Sequence, residues 1–479
     1  MSRGRLAASL VAFAAAGLLL APSAEAHGLG VRADIPIPIW LFAWAAAVVL
    51  VVSFVALAVL WPRPGLQDPS WRPLPRPLSR LLTSRPLELV CGAVGVFLYG
   101  VVLYAGLRGI QSTAENIAPT FVYIAFWLLP LPLSVLFGDV FRPFNPWRAI
   151  GRAVGWTATK VARAPLPAPL AYPARLGRWP AVVGLLAFVW LEIASPSGSQ
   201  PDQVAIATLV YSAATFIGMA LYGVETWVAR AETFGVYFSL VSRLSVFERR
   251  GDEVGLRPLL SGLPRWEPLP GSVAFVCALI GTVSFDGFSA GPTWNQTLVQ
   301  PIFDFFQALG IEQVRALELT FGFGIFAAVL LTYGFYRLGI EGARAAGHEF
   351  SGRELAARYA HSLAPIALVY AAAHYVSFLL LQGQSIMSMA SDPFGRGWDL
   401  FGTSSTAVNY GLIGAEAIWY MQVAMVVLGH VAALVLAHDR AVAMYKDPRD
   451  ATRSQYWMLA VMVGFTSLAL WLLSEGSKG

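Results

Sequence analysis

Six histidines are the residues best able to do chemistry in this chain of 479 amino acids. Four of them fall in two neighbouring apolar segments. One reads H-S-L-A-P-I-A-L-V-Y-A-A-A-H and carries His361 and His374; the other reads G-H-V-A-A-L-V-L-A-H-D-R and carries His430 and His438. Ionisable groups inside apolar spans are costly to keep and therefore mark function by default. If the two segments are antiparallel helices, His361 and His438 fall at one boundary, and His374 and His430 lie deeper. Their depths differ by five residues, about 7.5 Å of helical rise, a gap that a tilt, a kink at Pro365 or a bridging water could close. Three chemistries then stay open. Each ring can simply hydrogen-bond between helices. His374 and His430 can bind a divalent metal such as copper or zinc, or relay protons. Two helices with two histidines each is also how di-haem cytochromes are built, although the 8-residue spacing on the second segment does not match that pattern. Tyr370 and Ser377 share a face with His374, and Gly429 beside His430 would let helices approach closely.

Other donors are fewer. Asp286 ends an apolar segment before S-A-G-P-T-W-N-Q, and is the carboxylate the histidines would recruit as an acid, base or metal ligand. The segment S-D-P-F-G-R-G-W-D-L-F-G-T holds Asp392, Arg396, Trp398 and Asp399; Asp before Pro and Gly is also ordinary turn chemistry. Met387 and Met389 could bind Cu(I) or simply pack. Arg3 and Arg5, an apolar stretch to Leu20 and Ala24-Glu25-Ala26 form a signal-peptide pattern over residues 1–26. Cleavage there would expose His27 as a free amine beside an imidazole, a copper chelate of the kind used by secreted copper carriers. Two cysteines, Cys91 and Cys277, exclude a disulfide scaffold and a Cys-ligated metal centre.

The elements that must position these groups are helices in lipid. The chain is 57% hydrophobic and only 13% charged, about half the charge of a soluble protein. The expected fold is all-α: a polytopic transmembrane bundle of about ten spans in one integral membrane domain, residues 27–479. The spans are read at Ile37–Trp61, Pro86–Leu107, Ile117–Gly138, Ala181–Ser195, Val204–Gly223, Gly271–Gly287, Leu319–Leu338, His361–Gln382, Glu416–His438 and Gln455–Ser474, each near the length a bilayer requires. With the mature N-terminus outside, 26 of the 33 basic residues fall in inner loops and five outside. Positive-inside asymmetry thus places both termini outside the cytoplasmic membrane. The aromatic stretch near 226–247 would reverse every later loop if it spanned. It is therefore read as an amphipathic helix on the cytoplasmic face, with Pro301–Gly310 as a short counterpart outside. The loop F-R-P-F-N-P-W-R at 141–148 reads as an interfacial anchor facing anionic lipid, not as a nucleic-acid site. No phosphate-binding loop is present, so nucleotide-driven work has no support. The partners expected are the bilayer and a hydrophobic small molecule or a metal ion.

Four stretches carry a resemblance: H-G-L-G-V-R-A-D-I-P-I-P-I-W-L-F-A-W running into V-V-S-F-V-A-L-A-V-L-W-P-R-P, the F-R-P-F-N-P-W-R loop, the S-D-P-F-G-R-G-W-D-L-F-G loop, and G-H-V-A-A-L-V-L-A-H-D-R-A. The chain resembles, over most of its length, bacterial polytopic membrane proteins labelled fenitrothion hydrolase. The resemblance implies hydrolysis of an organophosphorus triester with release of a nitrophenol. It carries over no catalytic residues.

Overall fold

In the computed structural model, residues 39–68, 70–163, 167–346, 350–445 and 447–476 are described. The expected signal peptide, His27 and His348 lie outside the described residues. The long apolar runs all form helices: α1 (Ile39–Leu60), α2 (Arg85–Arg108), α3 (Ile117–Phe137), α4 (Pro146–Ala162), α5 (Trp179–Ala194), α6 (Pro201–Tyr222), α7 (Thr233–Ser242), α8 (Ser272–Ser289), α9 (Val299–Ala308), α10 (Gln313–Ala346), α11 (Ala364–Leu381), α12 (Ala415–Met444) and α13 (Pro448–Gly476). Among the described residues, eight helices are long and apolar enough to cross a membrane, and α1 and α5 contribute shorter apolar stretches. The protein is an all-α membrane bundle. Local signals start them: Pro86, Pro146 and Pro201 occupy first-turn positions, where a missing N–H costs nothing.

The most buried span is α8, which packs against α5, α10, α11 and α13. Gly281 makes this possible: a Cβ there would lie 2.7 Å from the Val329 backbone of α10. Towards one side, α2 packs on α4 and α6, and α3 on α7; towards the other, α13 packs on α1, α10 and α12.

Two readings of the loops change. The stretch 226–247 is not one amphipathic surface helix. It is a short helix, Val224–Arg230, followed by α7, in which eight of ten residues are buried. Ten residues rise only about 15 Å, too little to span, so α7 plugs the bundle without crossing it. The F-R-P-F-N-P-W-R loop also turns inward, because its polar groups find protein partners. Phe141, Asn145 and Trp147 are buried. Trp147 Nε1 donates to Ser212 Oγ (2.8 Å), and Asn145 Nδ2 donates to Glu232 (2.9 Å). The Arg148 guanidinium is held between Glu88 (2.7 Å) and Glu225 (2.9 Å). By contrast, α9 has no buried residue, as a helix lying on a surface should.

A small sheet interrupts the helices. Strands β1 (Arg72–Pro73), β2 (Phe247–Arg250) and β3 (Glu253–Leu256) pair antiparallel in the order β1-β3-β2. A two-residue Gly-Asp turn, with Gly251 at positive φ, makes the β2–β3 hairpin.

At the same end of the chain order, the loop after α1 is clipped to α12. The fully buried Asp439 carboxylate accepts from Trp61 Nε1 (2.9 Å), Leu66 N (3.1 Å), Gln67 Nε2 (2.7 Å) and Gly65 N. Replacing Asp439 by Ala leaves these donors unpaired, and we expect a loss of about 3 kcal/mol. Thermal unfolding in detergent checks it, with Asp439→Asn falling between variant and wild type.

Glu225 predicts an acid sensitivity. Burial pushes its carboxyl up, but the Arg148 hydrogen bond and the charges of Arg148 and Arg142 outweigh this and hold it below the usual range. Its contribution is complete above the unfolded value and is lost as pH falls through the lowered folded value. An Arg148→Met variant should therefore lose part of the wild type's fall in stability below about pH 4.5, read as unfolding midpoints against pH.

Candidate functional site

Helices α8 and α11 bring together residues that are 88 apart in sequence. Asp286 lies in the last turn of α8, and His374 and Tyr375 in the C-terminal half of α11. Asp286 Oδ2 sits 2.8 Å from His374 Nε2 and accepts from Tyr375 Oη at 2.7 Å. The imidazole packs edge-on against the Tyr375 ring. Gly287 makes room for it: a Cβ there would lie 3.3 Å from Nδ1. An ionised Asp286 can only accept, so Nε2 carries the hydrogen and the neutral ring keeps its lone pair on Nδ1. Nδ1 hydrogen-bonds to no described residue. The His374 and Asp286 side chains remain 25% and 24% exposed, so the pair is not sealed within the protein.

A third ionisable group adjoins the pair. Glu192 lies in the π-helical last turn of α5, Trp190–Ala194, and interacts electrostatically with Asp286, Tyr375 and Tyr123. Single π-turns concentrate at functional sites, because the extra residue re-aims the side chains around it. Glu192 is a functional candidate that the histidine pattern does not point to. Its signal was nonetheless plain: one acid inside the apolar span 181–195.

The two deep histidines are not brought together. Gln422 of α12 donates to the Ala373 carbonyl (2.8 Å), and Gly429 lies against Val369. His430 is thus level with the turn about five residues before His374. His430 is fully buried, with Nδ1 2.8 Å from the Val426 carbonyl of its own helix. It shares no hydrogen-bond partner with His374. The boundary histidines are structural: His361 bonds the Arg358 carbonyl (2.9 Å), and His438 bonds Gln455 (3.0 Å) and the Trp61 carbonyl (3.2 Å). Among the described residues, no group of three or more His, Cys, Asp or Glu is arranged to hold a metal.

The glycine-rich loop follows turn chemistry. Asp392 caps the backbone N–H groups of Arg396 (2.9 Å) and Gly397 (2.6 Å), and Asp399 accepts from Ser404 N (3.0 Å). Arg396 lies against the rings of Tyr104, Phe394 and Trp398. Met389 packs with Val102 and Ile117, whereas Met387 is exposed. Both cysteines are buried and free.

No family model matches the chain, and no curated protein and no solved structure matches it either.

The geometry predicts a reactivity order. Diethyl pyrocarbonate should modify His374 well before the buried His361, His430 and His438. Mass spectrometry of the protein in detergent, sampled over time, reads the order directly.

Proposed function

We propose that the protein is a multi-pass carrier of the cytoplasmic membrane that moves a small solute together with a proton, and that His374 takes up and gives back that proton. The observation that carries this reading is the Asp286–His374 pair within the bundle, hydrogen-bonded at 2.8 Å and not sealed within the protein. Histidine and carboxylates placed together inside a membrane domain are the usual makings of a proton path. Asp286 orients the ring and steadies its protonated form, Tyr375 steadies Asp286, and Glu192 is the next group along. With both termini outside, as the basic residues favour, His374, Asp286 and Glu192 would lie in the outer half of the bilayer and the proton would enter from outside.

The free Nδ1 favours a second reading, the hydrolase implied by the sequence resemblance. His374 would take a proton from water as its oxygen bonds to phosphorus, and the aryl oxygen would leave as nitrophenolate. Asp286 would hold the imidazolium formed, as the carboxylate does in other Asp–His pairs. Copper or zinc would need donors beyond Asp286 and His374, so this reading runs on acid–base chemistry.

Proteoliposomes containing a pH-sensitive dye separate the two. Challenge with a panel of small neutral and anionic solutes should give inward proton flux with at least one of them, lost in His374→Ala and Asp286→Asn. Fenitrothion added to the same vesicles should release no nitrophenol. Nitrophenol release that disappears in these variants would decide for the hydrolase. Vesicles in which wild type and variants behave alike in both assays would refute both readings.

A further inference from the structure

A second polar feature lies away from His374 and does not rest on the reading above. Helices α8, α10, α11, α12 and α13 border a half-open cavity of about 70 Å³ lined by His430, Met458, Met462, Phe335, Ile340 and Ile366, among others. Its walls are almost wholly apolar. The hydroxyls of its lining residues are committed elsewhere, Thr332 to the Ala328 carbonyl (2.9 Å), Tyr336 to the Ala356 carbonyl (2.6 Å) and Ser362 to the Tyr359 carbonyl (2.8 Å).

His430 is different. The Val426 carbonyl can only accept, so it is Nδ1 that carries the ring hydrogen. In the neutral ring, Nε2 is then a bare lone pair. It is buried and has no hydrogen-bond partner. Met458 and Met462 stand four residues apart on α13, one above the other on the face that lines the same cavity. His430 and two methionines therefore line one small space, and no carboxylate or thiol stands among its lining residues.

That donor set discriminates. The space is about half the volume of a cavity that holds benzene, room enough for a single ion. A divalent ion would bring two charges into an apolar cavity with no anionic ligand to offset them. Thioether and imidazole together suit a soft, singly charged ion. We propose that His430 Nε2, Met458 and Met462 form a Cu(I) site between α12 and α13.

Anaerobic titration of the purified full chain with Cu(I), in competition with bicinchoninate, tests this. Wild type should bind one tight equivalent that persists in His374→Ala and in His27→Ala and is lost in His430→Ala. The double variant Met458→Leu/Met462→Leu preserves side-chain volume, so it should keep its unfolding midpoint and still lose the ion. X-ray absorption of the copper-loaded wild type should show sulfur bound to copper. Absence of Cu(I) binding, binding unchanged in the methionine double variant, or copper held by nitrogen and oxygen alone would each overturn the proposal.

Discussion

Apolar surroundings leave no charge unattended, and the bundle is organised around meeting that demand. A carboxylate removed from water must be answered by donors from the protein, and three acids of this chain draw those donors from different parts of it. Asp439 is satisfied by the loop after α1, Glu232 by Tyr211, Asn145 and the first turn of α7, and Asp286 by His374 and Tyr375. These bonds join segments that share no sequence neighbourhood. They choose which helices lie side by side, where apolar packing alone would accept several arrangements.

Aromatic side chains fill what the charges leave. Phe126, Trp127, Trp147, Phe188, Phe234 and Tyr237 meet edge-on or stacked around α7. That cluster explains why a ten-residue helix can end inside the bundle. Its N-terminal amides are capped by Glu232, and its apolar sides meet rings, so only the chain ends must return to polar surroundings. The inward turn of Asn145 and Trp147 belongs to the same construction, since Asn145 donates to the cap Glu232 and Trp147 stacks on Phe234 of α7.

Helix positions were legible because hydropathy is a local property and long apolar runs form helices where lipid leaves backbone groups no other partner. Contacts across the bundle were not legible in this way. His374 and Asp286 were both singled out as residue types, but whether His374 would face Asp286 or His430 depended on helix rotation, which an almost uniformly apolar α11 does not encode. Glu192 is visible as the one acid of an apolar span, but nothing in the sequence ties it to residues about 90 and 180 positions away. The inward fold of residues 141–148 was hidden because aromatic and basic residues serve a membrane surface and a buried ion pair equally well. The β2–β3 hairpin had a local signal in its Gly-Asp turn, drowned by the surrounding helical pattern.

The clip between the first helix and Asp439 has a meaning in time as well as in space. Trp61 and its acceptor are 378 residues apart. At ordinary rates of synthesis, about 5–20 residues per second, the loop after α1 emerges roughly 20–75 s before the group that will hold it. Through that interval α1 waits in the membrane without its anchor, and the two ends of the bundle close only when α12 arrives. Truncated chains that stop short of Asp439 would keep their early helices but lack the latch, a natural mark by which a quality-control protease could tell unfinished molecules from finished ones.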